Sequence, residues 1–296
     1  MSARGDVRAA EAAQVALLTG TGAAGVLGAA LAHEGARLEQ CTVHSVHHRP
    51  GAGVSVGYTA VVLEADGRRL TEYLCATTAR LSRTNVPGLI PVLASDGVGP
   101  TIHVWRHPAD PELPALVVAC TPSLLSARIG AKVKATMVAY RPTRRAVVRV
   151  TWPDGSTAFA KVLRPPQAAA LAQRHRMLTL SGVPAPQVLR EDVDGLVMLS
   201  TGQGTSLSGL LAQGMEPTQA TRVFNALAAT LDALPADALP LPRHPAWSER
   251  ARHYAHAAAT VLPEHASRAR AVALGVEELL AGSDPGPVVP THGDFY

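Results

Sequence analysis

The chain writes the same hairpin signature twice. Arg49-Pro50, a valine-rich run over Val54–Leu63 and an Asp66-Gly67 turn are echoed by Arg141-Pro142, Val147–Val150 and Asp154-Gly155. The offset is 92 at the Arg-Pro pair and 88 at the Asp-Gly pair, so the units agree apart from four extra residues in the first. Each copy reads strand, Arg-Pro turn, valine strand, Asp-Gly hairpin, strand. That pattern specifies antiparallel meanders and excludes, for these segments, a parallel sheet wrapped by crossover helices. At offset 88 Tyr73 of the first copy stands where the second has Lys161. Asp-Gly hairpins are common, so duplication and coincidence both stand as accounts of the pair.

Around the hairpins the chain reads as follows. Residues 1–40 form helix, glycine turn, helix, ending near Gly35, and a strand follows over Cys41–His48. Residues 82–100 are loop-rich, Ile102–Trp105 is a strand, and Pro111–Cys120 is a short helix opened by proline. Thr157–Leu163 closes the second meander, Pro165-Pro166 opens an alanine-rich helix to about Leu180, and apolar strands cover Gln187–Arg190 and Leu196–Leu199. Ser200–Thr205 is a linker. Beyond it the pattern is helical over Leu207–Gln213, Thr218–Leu234, Trp247–Leu262 and Ser267–Ala281.

Composition narrows the function classes. Aromatic residues make up 4% of the 296, which denies the chain a stacking platform for single-stranded nucleic acid. The net charge of +4 is scattered, with no Lys/Arg block to track a phosphate backbone. No nucleic-acid partner is expected. Residues 12–32 carry no formal charge and are long enough to span a bilayer, but they are rich in Ala and Gly and follow Asp6 and Glu11, so two short soluble helices are expected and no membrane. Cys41, Cys75 and Cys120 are odd in number and far apart, which suits reduced thiols in a cytoplasmic protein.

Gly20, Gly22 and Gly25 make a formal GxGxxG with Glu39 about 20 residues on, the loop that would bring a pyrophosphate to a helix N-terminus in a dinucleotide-binding oxidoreductase. Hairpins rather than βαβ units follow it, so a glycine-broken helix pair is the competing account. His44, His47 and His48 cluster in sequence, but strand alternation is expected to put His44 and His48 on one face and His47 on the other, against a metal site. There is no GxSxG elbow for serine hydrolase chemistry.

The remaining constellation is distributed. Three of the 27 basic residues are lysine, and Lys161 is the one set in an apolar strand after a hairpin. A second apolar strand and a glycine linker follow, then helices, then His292-Gly293-Asp294. Phosphoryl transfer uses such an order: a strand lysine steadies nucleotide phosphates, a linker backbone reads the base, and a loop carboxylate accepts the proton of the attacking hydroxyl.

At Ala158–Leu163, Gly182–Leu189, Asp194–Leu199 with Gly204 and Leu207, and His292–Tyr296, the chain resembles the aminoglycoside phosphotransferase family, the small-molecule branch of the protein-kinase-like fold. The resemblance covers about residues 130–296. It implies an α+β, two-lobed fold: an N-terminal helix-plus-meander extension over 1–125, an antiparallel β-rich N-lobe over 126–202, and a partial helical C-lobe over 203–296 that ends in the catalytic loop. The implied activity is ATP-dependent transfer of phosphate to a hydroxyl of an aminoglycoside, sugar or amino alcohol. Lys161 would contact the α- and β-phosphates, Met198, Leu199 and Ser200 would form the adenine hinge, Asp294 would be catalytic base or orienter, and His292 would brace the loop. Mg²⁺ is the implied metal.

Departures from the family pattern sit beside the match. Residues 165–180 contain no Asp or Glu to pair with Lys161, and Arg144 and Arg145 occupy the turn where a glycine-rich phosphate loop is expected. The metal-binding amide would fall five residues past Asp294, beyond the last residue, so no metal ligand is assigned in this chain. Little or no kinase activity is expected of residues 1–296 on that ground, with a non-catalytic, pseudokinase-like nucleotide binder as the alternative and the dinucleotide enzyme as a weaker one.

Overall fold

The structure is a computed structural model that describes residues 3–48, 51–93, 99–202, 204–235, 243, 245–284, 286–289 and 291. The chain divides into two compact units, Met1–Thr179 with Ala185–Ser206, and Leu180–Pro184 with Leu207–Tyr296.

The first unit opens with helices α1 (Ala3–Thr19) and α2 (Gly22–Ala32), then a sheet of β1 (Arg37–His48), β2 (Val54–Leu63), β3 (Arg69–Thr77), β4 (Leu89–Val92) and β5 (Ile102–Arg106). Its spatial order is β1-β2-β3-β5-β4, antiparallel throughout. Alternate residues of β2, from Val54 through Tyr58 to Val62, are buried with Leu18 of α1 and Leu27 and Leu31 of α2. The Tyr58 hydroxyl donates to the Leu18 carbonyl at 2.7 Å, which settles the one polar atom that this face carries inward.

Helices α3 (Leu116–Cys120) and α4 (Pro122–Ile129) lead to a second sheet of β6 (Lys134–Arg141), β7 (Arg145–Thr151), β8 (Thr157–Leu163), β9 (Val188–Glu191) and β10 (Leu196–Ser200), with α5 (Pro165–Leu180) between β8 and β9. The order is β6-β7-β8-β10-β9, the same as in the first sheet. The likeness extends to detail. Gly67 and Gly155 take φ of 82° and 85°, their N–H groups donate to Glu64 and Trp152 carbonyls at 2.9 and 3.0 Å, and Asp66 and Asp154 each accept the backbone N–H two residues on. The first strand of each sheet is also interrupted by a bulge, between Val43 and Ser45 and between Met137 and Ala139. The hairpin repeat is therefore a repeat of whole five-stranded sheets.

One face of the second sheet, with Val148, Ala158, Ala160 and Val162, packs against Leu113, Leu116 and Leu125. The opposite face takes α5, whose Ala168 and Ala172 pack on Val197 and Leu199. Small residues on α5 let the helix lie close to the strands. The sheets are tied by polar contacts as well: the Tyr140 hydroxyl accepts from Trp105 Nε1 at 3.3 Å and donates to Asp110 at 2.7 Å. The 125/126 boundary expected from the sequence falls inside α4, and Leu125 belongs to the second core.

The second unit holds α6 (Leu207–Gln213), α7 (Pro217–Asp232), α8 (Ala251–Val261) and α9 (Ala266–Ala281). Helices α8 and α9 pair and are joined by the Arg252–Glu277 ion pair, and Trp247 stacks on Tyr254 at 5.3 Å. The whole is α+β, a β-rich unit of kinase-like N-lobe character and a helical unit.

Several expectations are corrected. Within the loop-rich residues 82–100, Leu89–Val92 forms β4, a strand that was not expected, and pairs with β5. The helix expected over Pro111–Cys120 begins at Leu116, and α4 after it was not expected. The bulge at His44 breaks strand alternation: His44 and Ser45 both reach the Tyr73 hydroxyl, at 3.0 and 3.1 Å, so His44 does not share a face with His48, which instead approaches Glu11 at 3.7 Å. Gly20, Gly22 and Gly25 lie at the junction of two helices and inside the second, with no strand before them, so the dinucleotide reading is overturned. Among the described residues no single helix is long and apolar enough to cross a membrane; α1 and α2 bend by 73° at their break and bury Leu18, Leu27 and Leu31 beneath the first sheet.

Candidate functional site

Lys161 sits on β8, the middle strand of its sheet, opposite Val147 on β7 and Val197 on β10. Ala160 and Val162 on either side face the core, so alternation turns Lys161, with Phe159 and Leu163, to the face that α5 covers. The lysine is half-buried, and desolvation first and the nearby Arg145 second push its pKa below the usual lysine value. No carboxylate pairs with it among the described residues.

Helix α5 presents a histidine toward this lysine. His175 has its pKa pushed down, chiefly by burial, with the charges of Lys161 and Arg174 acting the same way against a raising hydrogen bond to Pro186. Its Nδ1 lies 2.8 Å from the Pro186 carbonyl, which can only accept, so Nδ1 carries a proton. Lys161 meets no anionic side chain among the described residues and sits in a partly desolvated strand. A cation so placed suits an anionic group such as a nucleotide phosphate.

The turn between β6 and β7 ends near the same face, and two buried carboxylates hold it. Thr143, buried at 3% exposure, adopts φ 62°, a conformation that β-branched residues rarely take. Its N–H donates to Asp110 at 2.8 Å and its carbonyl accepts from Arg164 Nε at 3.1 Å. Asp110 also accepts from Tyr140 and from the Glu112 N–H; burial pushes its pKa up while these hydrogen bonds pull the other way. Glu112, its side chain fully buried, pairs with Arg164 at 2.8 Å and accepts from the Ser82 hydroxyl. The residues Asp110, Glu112 and Thr143 give no sign of this in the sequence, where Glu112 reads as part of a short helix and Thr143 as part of a turn.

The expected hinge has a definite place. Met198 and Leu199 are buried in separate cores, Met198 facing α3 and Leu199 facing α5, and β10 is paired on both sides as far as Leu199. Ser200 gives its N–H to the Gln187 carbonyl at 2.9 Å and its hydroxyl accepts the Gln187 N–H. The chain leaves the sheet at Thr201, which hydrogen-bonds Thr157. His292 and Asp294 lie outside the described residues, and so does their relation to Lys161. Among the described residues no group of three His, Cys, Asp or Glu side chains is placed to hold a metal.

The model of the phosphotransferase enzyme family (APH) matches residues 142–296, which begins in the β6–β7 turn and takes in Lys161, β10 and the helical unit. No curated protein matches the chain.

Proposed function

The chain belongs to the phosphotransferase enzyme family, and from that premise we propose that it uses ATP and Mg²⁺ to phosphorylate a hydroxyl of a small molecule, an aminoglycoside, sugar or amino alcohol. The observation that carries the proposal is Lys161: a half-buried, uncompensated ammonium on the central strand of the family-matched sheet. ATP would supply the phosphoryl group. Lys161 would neutralise its α- and β-phosphates, and backbone groups where β10 ends, at Met198, Leu199 and Ser200 or just past them, would meet the adenine. Asp294 would orient the acceptor hydroxyl and take its proton, with His292 bracing that loop. The free thiols of Cys41, Cys75 and Cys120 support a cytoplasmic setting.

Binding and turnover are tested separately. Lys161→Ala is expected to weaken ATP binding at least ~10-fold in calorimetric titration, about 1.4 kcal/mol, while Asp294→Asn is expected to leave binding intact and remove transfer to an acceptor panel. Unchanged ATP affinity in Lys161→Ala sinks the proposal. ATP binding without transfer to any acceptor selects the pseudokinase-like reading, which the lack of an Asp or Glu on α5 favours.

A further inference from the structure

Where residues 51–53, the segment after β3 and the β6–β7 turn meet, the first unit has an open cavity of about 1020 Å³. Arg80, Arg141, Arg144, Arg145 and Arg164 line it, against one acid, Glu11. Glu11 is engaged already, accepting the Gly51 N–H at 2.7 Å and lying 3.7 Å from His48. Arg164 is neutralised by Glu112. Arg80, Arg141 and Arg145 have no ion pair among the described residues, in contrast to Arg164 beside them. The guanidinium groups of Arg80, Arg141 and Arg145, from separate parts of the chain, therefore converge on one space, an arrangement that a bound anion stabilises.

Two further observations point to a ligand. The turn that bears Arg141, Arg144 and Arg145 is fixed beforehand, because Asp110 and Arg164 hold Thr143 in its left-handed conformation. A preformed turn loses little freedom on binding. The volume exceeds what a bare phosphate fills and suits a small organic molecule, and Ser55, Thr78 and Gln14 add polar lining.

We propose that this cavity binds a phosphate ester of a small polar molecule, with Arg80, Arg141 and Arg145 on the phosphate. Its wall differs from that of the nucleotide site, because Lys161 is not in it and most of it precedes the family-matched segment, while Arg145 lies close enough to Lys161 to border both. The proposal stands without the ATP reading. Free phosphate shares the dianion, so both are tested by calorimetry on the full chain, with glucose 6-phosphate, inorganic phosphate and glucose as probes. Saturable binding of glucose 6-phosphate is expected, tighter than that of inorganic phosphate, with none of glucose. The double variant Arg80→Ala, Arg141→Ala is expected to weaken it at least ~10-fold, and Lys161→Ala to weaken it far less. Arg80→Lys with Arg141→Lys should retain part of the affinity, which separates charge loss from misfolding. Equal affinity for inorganic phosphate would assign the site to the free ion and overturn the ester. Absence of binding to either anion, or binding that is lost in Lys161→Ala and kept in the double alanine variant, would overturn the site itself.

Discussion

Gly57 shows how one residue can be dictated by a neighbour across the sheet. A Cβ at this position would overlap the Tyr73 phenol and crowd the Ser45 hydroxyl at 2.9 Å, because the Tyr73 ring lies across β2 to reach His44 and Ser45. Gly57→Ala is expected to cost about 1–3 kcal/mol, the usual penalty for overpacking, read as a lower midpoint in urea unfolding; a midpoint equal to wild type would contradict the crowding. Tyr73 is also the residue that matches Lys161 in the hairpin repeat, so equivalent strand positions carry a packing ring in one sheet and a half-buried ammonium in the other. Lys161 was legible in the sequence because a lysine in an apolar strand is conspicuous. Asp110 and Glu112 were not, since nothing local distinguishes a carboxylate that ends up buried from one in solvent; only the fold brings Tyr140, Thr143 and Arg164 to them.

At the scale of elements, the β6–β7 turn depends on a distant loop. Glu112 is fully buried, and Arg164, at the end of β8, is its cationic partner. Arg164→Ala strands that charge and frees the Thr143 carbonyl, so a loss of about 3 kcal/mol is expected, the lower end of the range for breaking a buried pair because Arg164 is itself 31% exposed. Differential scanning calorimetry checks this, with Arg164→Lys recovering part of the loss. A loss equal to that of an exposed arginine would show that the pair does not hold the turn. Strands with strong period-two patterning were read to within a residue or two, as for Val54–Leu63, and so was the helix over Leu207–Gln213. Leu89–Val92 was not, because Pro87, Gly88 and Pro91 write it as loop; it survives as an edge strand paired only with β5. The basic cavity escaped for another reason: His47, Arg80 and Arg141 meet only when two sheets are in place, and no window of sequence contains all three.

For the whole molecule, burial sets the response to acid. His47, His103, His107 and His175 all have pKa values pushed below the ordinary 6.5, with desolvation the leading cause. Their unfolded forms bind protons that the folded forms refuse, so the stabilisation is complete above about pH 6.5 and is lost as pH falls through the folded values. Asp110, raised by burial, acts in the opposite sense, but it is one group against four. Urea midpoints are therefore expected to be lower at pH 5.5 than at pH 7.5, and an equal or higher midpoint at pH 5.5 would show that these imidazoles are open to water. The shared strand order of the two sheets has a consequence for how the chain reaches this state. Each hairpin has a homologous edge in the other sheet on which it could settle by mistake, a route to kinetic trapping when the full chain refolds from denaturant. Synthesis from the N-terminus separates the two in time: all five strands of the first sheet end by Arg106, before the ribosome has made any strand of the second.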